Sequence, residues 1–249
     1  FEELQSTKFS EAIKTLITQI EPVLAKIPSD IICLLIADFN TPGIPDALQI
    51  ASEIIQSETG RSFVLLEGNG FEALDNWLDN AWRKPSLVLS LSAEIRQAPG
   101  EGEGEAITLA LMLNRKHPGI PEAVQLRRPE KYKNDSLTKT LSRALIWSQL
   151  SPEEVKGSWG TGLNFSQGGE WHSACEENKL SLNMAEEHKN IDDFIGYCGV
   201  SAPWLAVTIS SLVARSGAAQ IIAVETDTND IWIAGVTPGD NTGIRQDTL

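Results

Sequence analysis

Positive charge is in short supply in this 249-residue chain: 20 Lys and Arg face 34 Asp and Glu, a formal net charge of −14. Such a field repels phosphate backbones and anionic lipid surfaces, so neither nucleic acid nor a membrane surface is an expected partner. A neutral or basic protein partner fits it. Long apolar runs are lacking too, and none reaches membrane-spanning length. Cysteine is limited to Cys33, Cys175 and Cys198, an odd and scattered set. That argues against a disulfide framework and for a reducing, cytoplasmic setting. No signal-peptide pattern opens the chain, and its first residue is Phe1, so a longer gene product is expected.

Several chemical signatures are absent as well. No Gly-x-Ser-x-Gly elbow occurs, which removes the signature of an α/β-hydrolase. The Gly100–Gly104 run alternates with glutamates and leads into a strand, so it does not read as a phosphate loop. His172 and Cys175 have ligand-like spacing but no second pair, and no metal or cofactor is expected. Glu186-Glu187-His188 and Asp192-Asp193 read as a solvated charge run.

What is present is ordinary globular composition, 41% hydrophobic and 22% charged, and a clear periodicity. Phe9, Ile13, Leu16, Ile17, Ile20 and Leu24 share a helix face over residues 9–25. The apolar run 31–37 suits a strand covered on both faces. A helix over 46–57 turns Ala47, Ile50, Ala51, Ile54 and Ile55 inward, and Phe63–Leu66 reads as another buried strand. Phe71, Leu74, Trp77, Leu78 and Ala81 define the next helix, whose other face, Asp75, Asn76, Asp79 and Asn80, is free for water or a partner. Strands follow at 87–91 and 107–113. In the second half, a helix at 137–148 precedes a nearly all-apolar helix at 203–215, with Trp204, Leu205, Val207, Ile209, Leu212 and Val213. Strands at 220–224 and 231–236 close the chain. Trp147 and Trp204 fit core positions, while Trp77 and Trp82 suit either a core or an interface.

Each half thus ends as helix, strand, strand, at 70–113 and 203–237. The Pro- and charge-rich stretch 118–135 reads as a linker, which divides the chain into halves 1–117 and 136–249 of one compact unit. The polar stretch 168–190 gives no clear element.

Four segments in order resemble the thiolase-like superfamily, and within it the ketoacyl synthases. Gly100–Ala106 resembles the family's Gly-Glu-Gly-Ala segment. Ser158-Trp159-Gly160-Thr161-Gly162 resembles its His-Gly-Thr-Gly loop. Ile195–Ala202 resembles its Ile-Gly-His loop, and Gly70–Leu74 the start of its nucleophile helix. The resemblance implies an α/β fold, a layered αβαβα sandwich of two pseudo-equivalent halves, shortened at the N-terminus.

It also implies a lost active site. The nucleophile position holds Glu67, or Gly68 if the match slips by one, and the two histidine positions hold Trp159 and Tyr197. A carboxylate does not replace a thiolate as nucleophile, and a tyrosine does not replace imidazole as a base near neutral pH. Glu67 then either caps the following helix or mimics an acylated cysteine. Trp159 and Tyr197 should fill volume that an active synthase leaves for substrate, and the three positions should converge. The implied function is a non-catalytic, partner-binding protein: an accessory chaperone or adaptor for loading bacterial type VI secretion effectors. The alternatives are a silent, chain-length-factor-like subunit of an active synthase, or an acyltransferase with altered chemistry at Glu67 or Tyr197. A homodimer is compatible with each.

Overall fold

The structure, a computed structural model, describes residues 2–81, 83–120, 124–162 and 169–239. Trp82, residues 121–123 of the stretch read as a linker, and Gly168 lie outside them. The first half runs α1 (Glu2–Leu24), β1 (Ile32–Asn40), α2 (Ala47–Thr59), β2 (Val64–Leu65), α3 (Gly70–Ala81), β3 (Ser86–Glu94) and β4 (Ala106–Leu113). The crossover carries β5 (Val124–Leu126) and β6 (Glu130–Lys131). The second half runs α4 (Leu137–Ser148), β7 (Val155–Thr161), α5 (Glu170–Glu177), β8 (His188–Asn190), α6 (Asp192–Ile195), α7 (Ala202–Ala214), β9 (Ala219–Glu225) and β10 (Ile231–Pro238).

The sheets show why the halves are equivalent. The first has the order β2-β1-β3-β4, with β1 parallel to β2 and β3 and only β4 antiparallel. The second contains β8-β7-β9-β10 with the same directions, and β5 and β6 add to the far side of β10. The repeat therefore extends beyond helix, strand, strand to the whole half. Within the stretch read as a linker, β5 and β6 belong to the second sheet.

Burial follows from strand alternation. One face of β1 and β3 gives Leu35, Leu89 and Leu91 to α1 and α2, where Phe9, Ile13, Ile17, Ala51 and Ile55 pack. The far face of the second sheet gives Ile221, Ala223 and Ile233 to α4 and α5, with Leu141, Leu145 and Trp171. Between the sheets lie α3 and α7, with Phe71, Leu74, Trp77, Trp204 and Val207 against Ile36, Val88, Ile222 and Val224. Phe71 meets the Trp204 ring edge-on at 5.4 Å. The result is the five-layer αβαβα sandwich that the resemblance implied.

Three sequence expectations need correction. The strand at 63–66 is not buried: β2 is a short sheet edge, and Val64 is 65% exposed. Leu212 faces solvent on α7 rather than the core. Trp147 is 50% exposed at the end of α4 instead of buried. The polar face of α3 meets solvent at Asn76, Asp79 and Asn80 as expected, and Arg128 also reaches it, its guanidinium binding Asp75 at 2.8 Å and Asp79 at 2.7 Å. That guanidinium also lies 5.2 Å from the Trp147 ring centroid, which gives the tryptophan a partner outside the core.

Arg128 thus ties the crossover to α3 and α4. Arg128→Ala should cost about 1–2 kcal/mol, the sum of two partly screened ion pairs and one cation–π contact. Urea unfolding checks this. The loss should shrink at about 1 M salt, where screening reaches about 3 Å. Equal stability of both proteins would remove the clamp.

Candidate functional site

Toward their C-terminal ends, the inner faces of β1 and β3 turn polar. Asp38, Asn40, Ser90, Ser92 and Glu94 occupy the alternate positions that point between the sheets. Asp38 is 5% exposed. Its Oδ2 accepts the Gly70 backbone N–H at 2.9 Å and the Trp204 indole N–H at 3.1 Å. One carboxylate oxygen thereby holds β1, the first residue of α3 and the first turn of α7. Oδ1 has no hydrogen-bond partner. Burial raises the Asp38 pKa above its ordinary value, against the lowering effect of its two donors.

Glu94, fully buried at the end of β3, accepts from Asn40 at 2.7 Å and from the Val200 backbone at 3.1 Å. Arg96 approaches it at 3.1 Å and reaches on to Glu103 at 3.0 Å. The Tyr197 loop is pinned to the Gly-Glu-Gly segment: Gly104 N–H donates to the Tyr197 carbonyl and Tyr197 N–H to the Gly102 carbonyl. Two glycines make this closeness possible. A Cβ at Gly104 would lie 2.1 Å from the Ile195 carbonyl, and one at Gly199 (φ +45°) 2.1 Å from the Glu94 carboxylate.

Tyr197 is thus placed at the junction, and its hydroxyl donates to Asp227 at 2.7 Å. Burial, then Asp227, Asp192 and Glu94, push its phenol pKa up, so it stays protonated near neutral pH. The neighbouring Cys198 thiol is pushed up to about 11 by burial and nearby carboxylates. Neither group is a nucleophile or base in that state.

Trp159 lies within β7 and not in a loop after it; only Gly162 of the Gly-Thr-Gly run follows the strand. Its indole donates to Gln220 at 3.0 Å. The ring is half-buried and lines, rather than fills, an open cavity of about 290 Å³ with Ile191, Phe194, Ile195 and Ile209. The end of β7 does meet the Tyr197 loop: Thr161 and Gly162 both donate to Asp192, and a Cβ at Gly162 would lie 3.2 Å from the Tyr197 ring. Glu67 lies elsewhere. It is exposed and lines a separate cavity of about 440 Å³ with Leu66, Ala73, Asn76 and Trp77, sharing no lining residue with the Trp159 cavity. Its carboxylate makes no hydrogen bond among the described residues, and the α3 amide at Gly70 is held by Asp38. The backbone segments of Trp159 and Tyr197 meet at Gly162 and Asp192, while the two side chains have separate partners, Gln220 and Asp227.

His188 is not part of a solvated charge run. It sits half-buried in β8, its Nδ1 3.0 Å from Ser158 Oγ, which also accepts the Trp171 indole N–H. His172 and Cys175 lie on α5 with Cys175 buried, and no cluster of three metal-binding side chains occurs among the described residues. Asp38 and Glu94 escaped the sequence reading, although polar residues at alternate places in apolar strands mark them.

No protein-family model matches the chain, and no curated protein matches it in sequence. Solved structures do match. "ChlB3 [Aceyltransferase]" aligns with a TM-score of 0.57 at 14% identity, over 85% of this chain and 78% of that one. The ishigamide ketosynthase/chain length factor aligns at 0.57 and 15%, over 85% and 74%. OleA from Xanthomonas campestris, with cerulenin, aligns at 0.55 and 15%, over 90% and 79%. These similarities show that the chain shares the fold of these solved structures.

Asp38 carries a prediction with a definite sign. Its folded-state pKa is raised above the ordinary 3.8. The stability it contributes is therefore full below 3.8 and is lost as pH rises through the folded value. Asp38→Asn should gain stability relative to the native chain as pH rises from about 3.8 to neutral, read from urea midpoints across that range. A pH-independent difference would contradict the buried carboxylate. Asp38→Ala should cost about 2–4 kcal/mol, because two buried donors lose their acceptor.

Proposed function

We propose that this chain is a thiolase-fold protein without condensing activity that works through a protein partner, as a catalytically silent subunit beside an active ketoacyl synthase. The observation that carries this reading is the occupant of the α3 N-terminus. A helix N-terminus that would lower the pKa of a nucleophilic thiol instead holds the Asp38 carboxylate. Glu67, Trp159 and Tyr197 stand where the resemblance places cysteine and histidines. A solved neighbour that pairs a ketosynthase with a chain length factor supports the subunit form of the reading.

The adaptor for type VI effector loading is a second form of the same partner-binding role, resting on the net charge of −14 and the absent triad. A homodimer would be a third, through the exposed edge of β2. Altered acyl transfer is disfavoured by the raised pKa values of Tyr197 and Cys198. The three buried free thiols fit a reducing cytoplasm. No helix among the described residues is long and apolar enough to cross a membrane.

Purified protein incubated with acyl-CoA and acyl-carrier protein should show no covalent acyl adduct by intact mass and no acyl transfer. An adduct lost in Cys198→Ala, or turnover lost in Glu67→Ala, would overturn the reading. Co-expression with a ketoacyl synthase encoded nearby should give a stoichiometric complex with altered product length. Separate elution and unchanged products would refute the subunit form.

A further inference from the structure

The cavity beside Trp159 has a composition that the partner-binding reading does not use. Its walls are apolar, formed by Trp159 of β7, Ile191, Phe194 and Ile195 around α6, and Ile209 of α7. Among the described residues, the one charged side chain lining it is Lys189 of β8. Lys189 is half-buried and makes no side-chain hydrogen bond or ion pair among those residues. Unlike the lysines exposed on the surface, it is held at the wall of an apolar cavity. The nearby Asp193 carboxylate takes a hydrogen bond from Asn190 instead. Phe194, 70% exposed, and Ile195, 46% exposed, leave apolar surface uncovered at the rim.

We propose that this cavity binds a small monoanion with an apolar body, its headgroup paired with Lys189 and its body against Trp159, Phe194 and the three isoleucines. A volume of about 290 Å³ lies at the lower end of small-molecule sites, which limits the body to a few carbons or one ring. The walls offer no polar group to a sugar or a peptide backbone, and a cation would meet Lys189. A multiply charged anion would be repelled by the net charge of −14, whereas a single negative charge is matched by the one ammonium that lines the cavity among the described residues. Binding would cover Phe194 and give Lys189 the partner it lacks, so both uncompensated features are relieved by one ligand. The site lies on the edge of the second half and is independent of whether the chain also docks on a synthase.

The probes are n-alkanoates of increasing length and n-alcohols of matched length, measured by titration calorimetry on the full chain. Alkanoate affinity should rise about fourfold per methylene and then level off once the cavity is full. Each acid should bind about tenfold more tightly than its alcohol, the worth of one charge-assisted contact. Lys189→Gln should remove the preference for acid while keeping the dependence on length. Ile209→Trp should abolish both, with circular dichroism and urea unfolding confirming a folded protein. If Ile209→Trp does not fold, Lys189→Gln alone decides the matter. Binding without length dependence, no binding at millimolar ligand, or a Lys189→Gln protein that still prefers the acid would each overturn the proposal. Octanoyl-CoA binding more tightly than octanoate would overturn the monoanion assignment.

Discussion

Much of this structure depends on one carboxylate. Asp38 joins the end of β1 to the N-terminus of α3 and to Trp204 in the first turn of α7. Those two helices form the middle layer, so this contact sets how the first half meets the second. A buried carboxylate is costly by itself, and its second oxygen has no donor. Two features offset that cost: the N–H donors on Oδ2 and the positive end of the α3 dipole. Glu94 repeats the device one strand away, collecting Asn40, Arg96 and the Val200 amide. Together they bind the strand ends to the segment 196–204 without any cysteine or histidine side chain.

The two halves share a plan and have diverged in what their corresponding edges expose. The cavity lined by Glu67 lies between the β1–β2 edge and α3; the one lined by Trp159 lies between the β7–β8 edge and α7. These places are equivalent under the repeat, since β8 pairs with β7 as β2 pairs with β1. The first is lined by Asn76, Asn80, Glu67 and Lys84 as well as apolar groups, while the second has apolar walls and Lys189. Divergence of paired sites in this way is open to a chain whose fold is held elsewhere, in the central layer and at the Asp38 and Glu94 junctions.

Much of the fold was legible because burial imposes period. The inward faces of α1 and α2 and the strands at 87–91 and 231–236 follow from hydrophobic spacing alone. What spacing does not report is whether a neighbour covers an apolar face. Val64 and Leu65 look like a buried strand, but β2 ends the sheet. Trp147 looks like core until Arg128 is seen above it. β8 escaped notice because three half-buried residues in a polar stretch carry no periodic signal. The meeting of the Gly100–Gly104 segment, the end of β7 and the Tyr197 loop could be read from short Gly-containing matches, since close backbone approach constrains glycine strongly. Glu67 was placed from the Gly70–Leu74 match, and its side chain lines a separate cavity from that of Trp159.

The chemistry available at the junction follows from its charge. Glu94, Asp192 and Asp227 surround Tyr197, and the same field with burial acts on Cys198. Negative neighbours favour keeping a phenol or thiol protonated, the opposite of what a condensing enzyme requires of its thiol. Arg96 lowers the Cys198 value but is itself engaged by Glu94 and Glu103. A cysteine placed at 67 or 68 would not by itself become a thiolate at the α3 N-terminus. The carboxylate at 38 already holds the helix terminus that would activate it, and removing that carboxylate unties α3 from α7. The N-terminus of α3, where a helix dipole would stabilise a negative charge, is thus already occupied by a group that secures the fold.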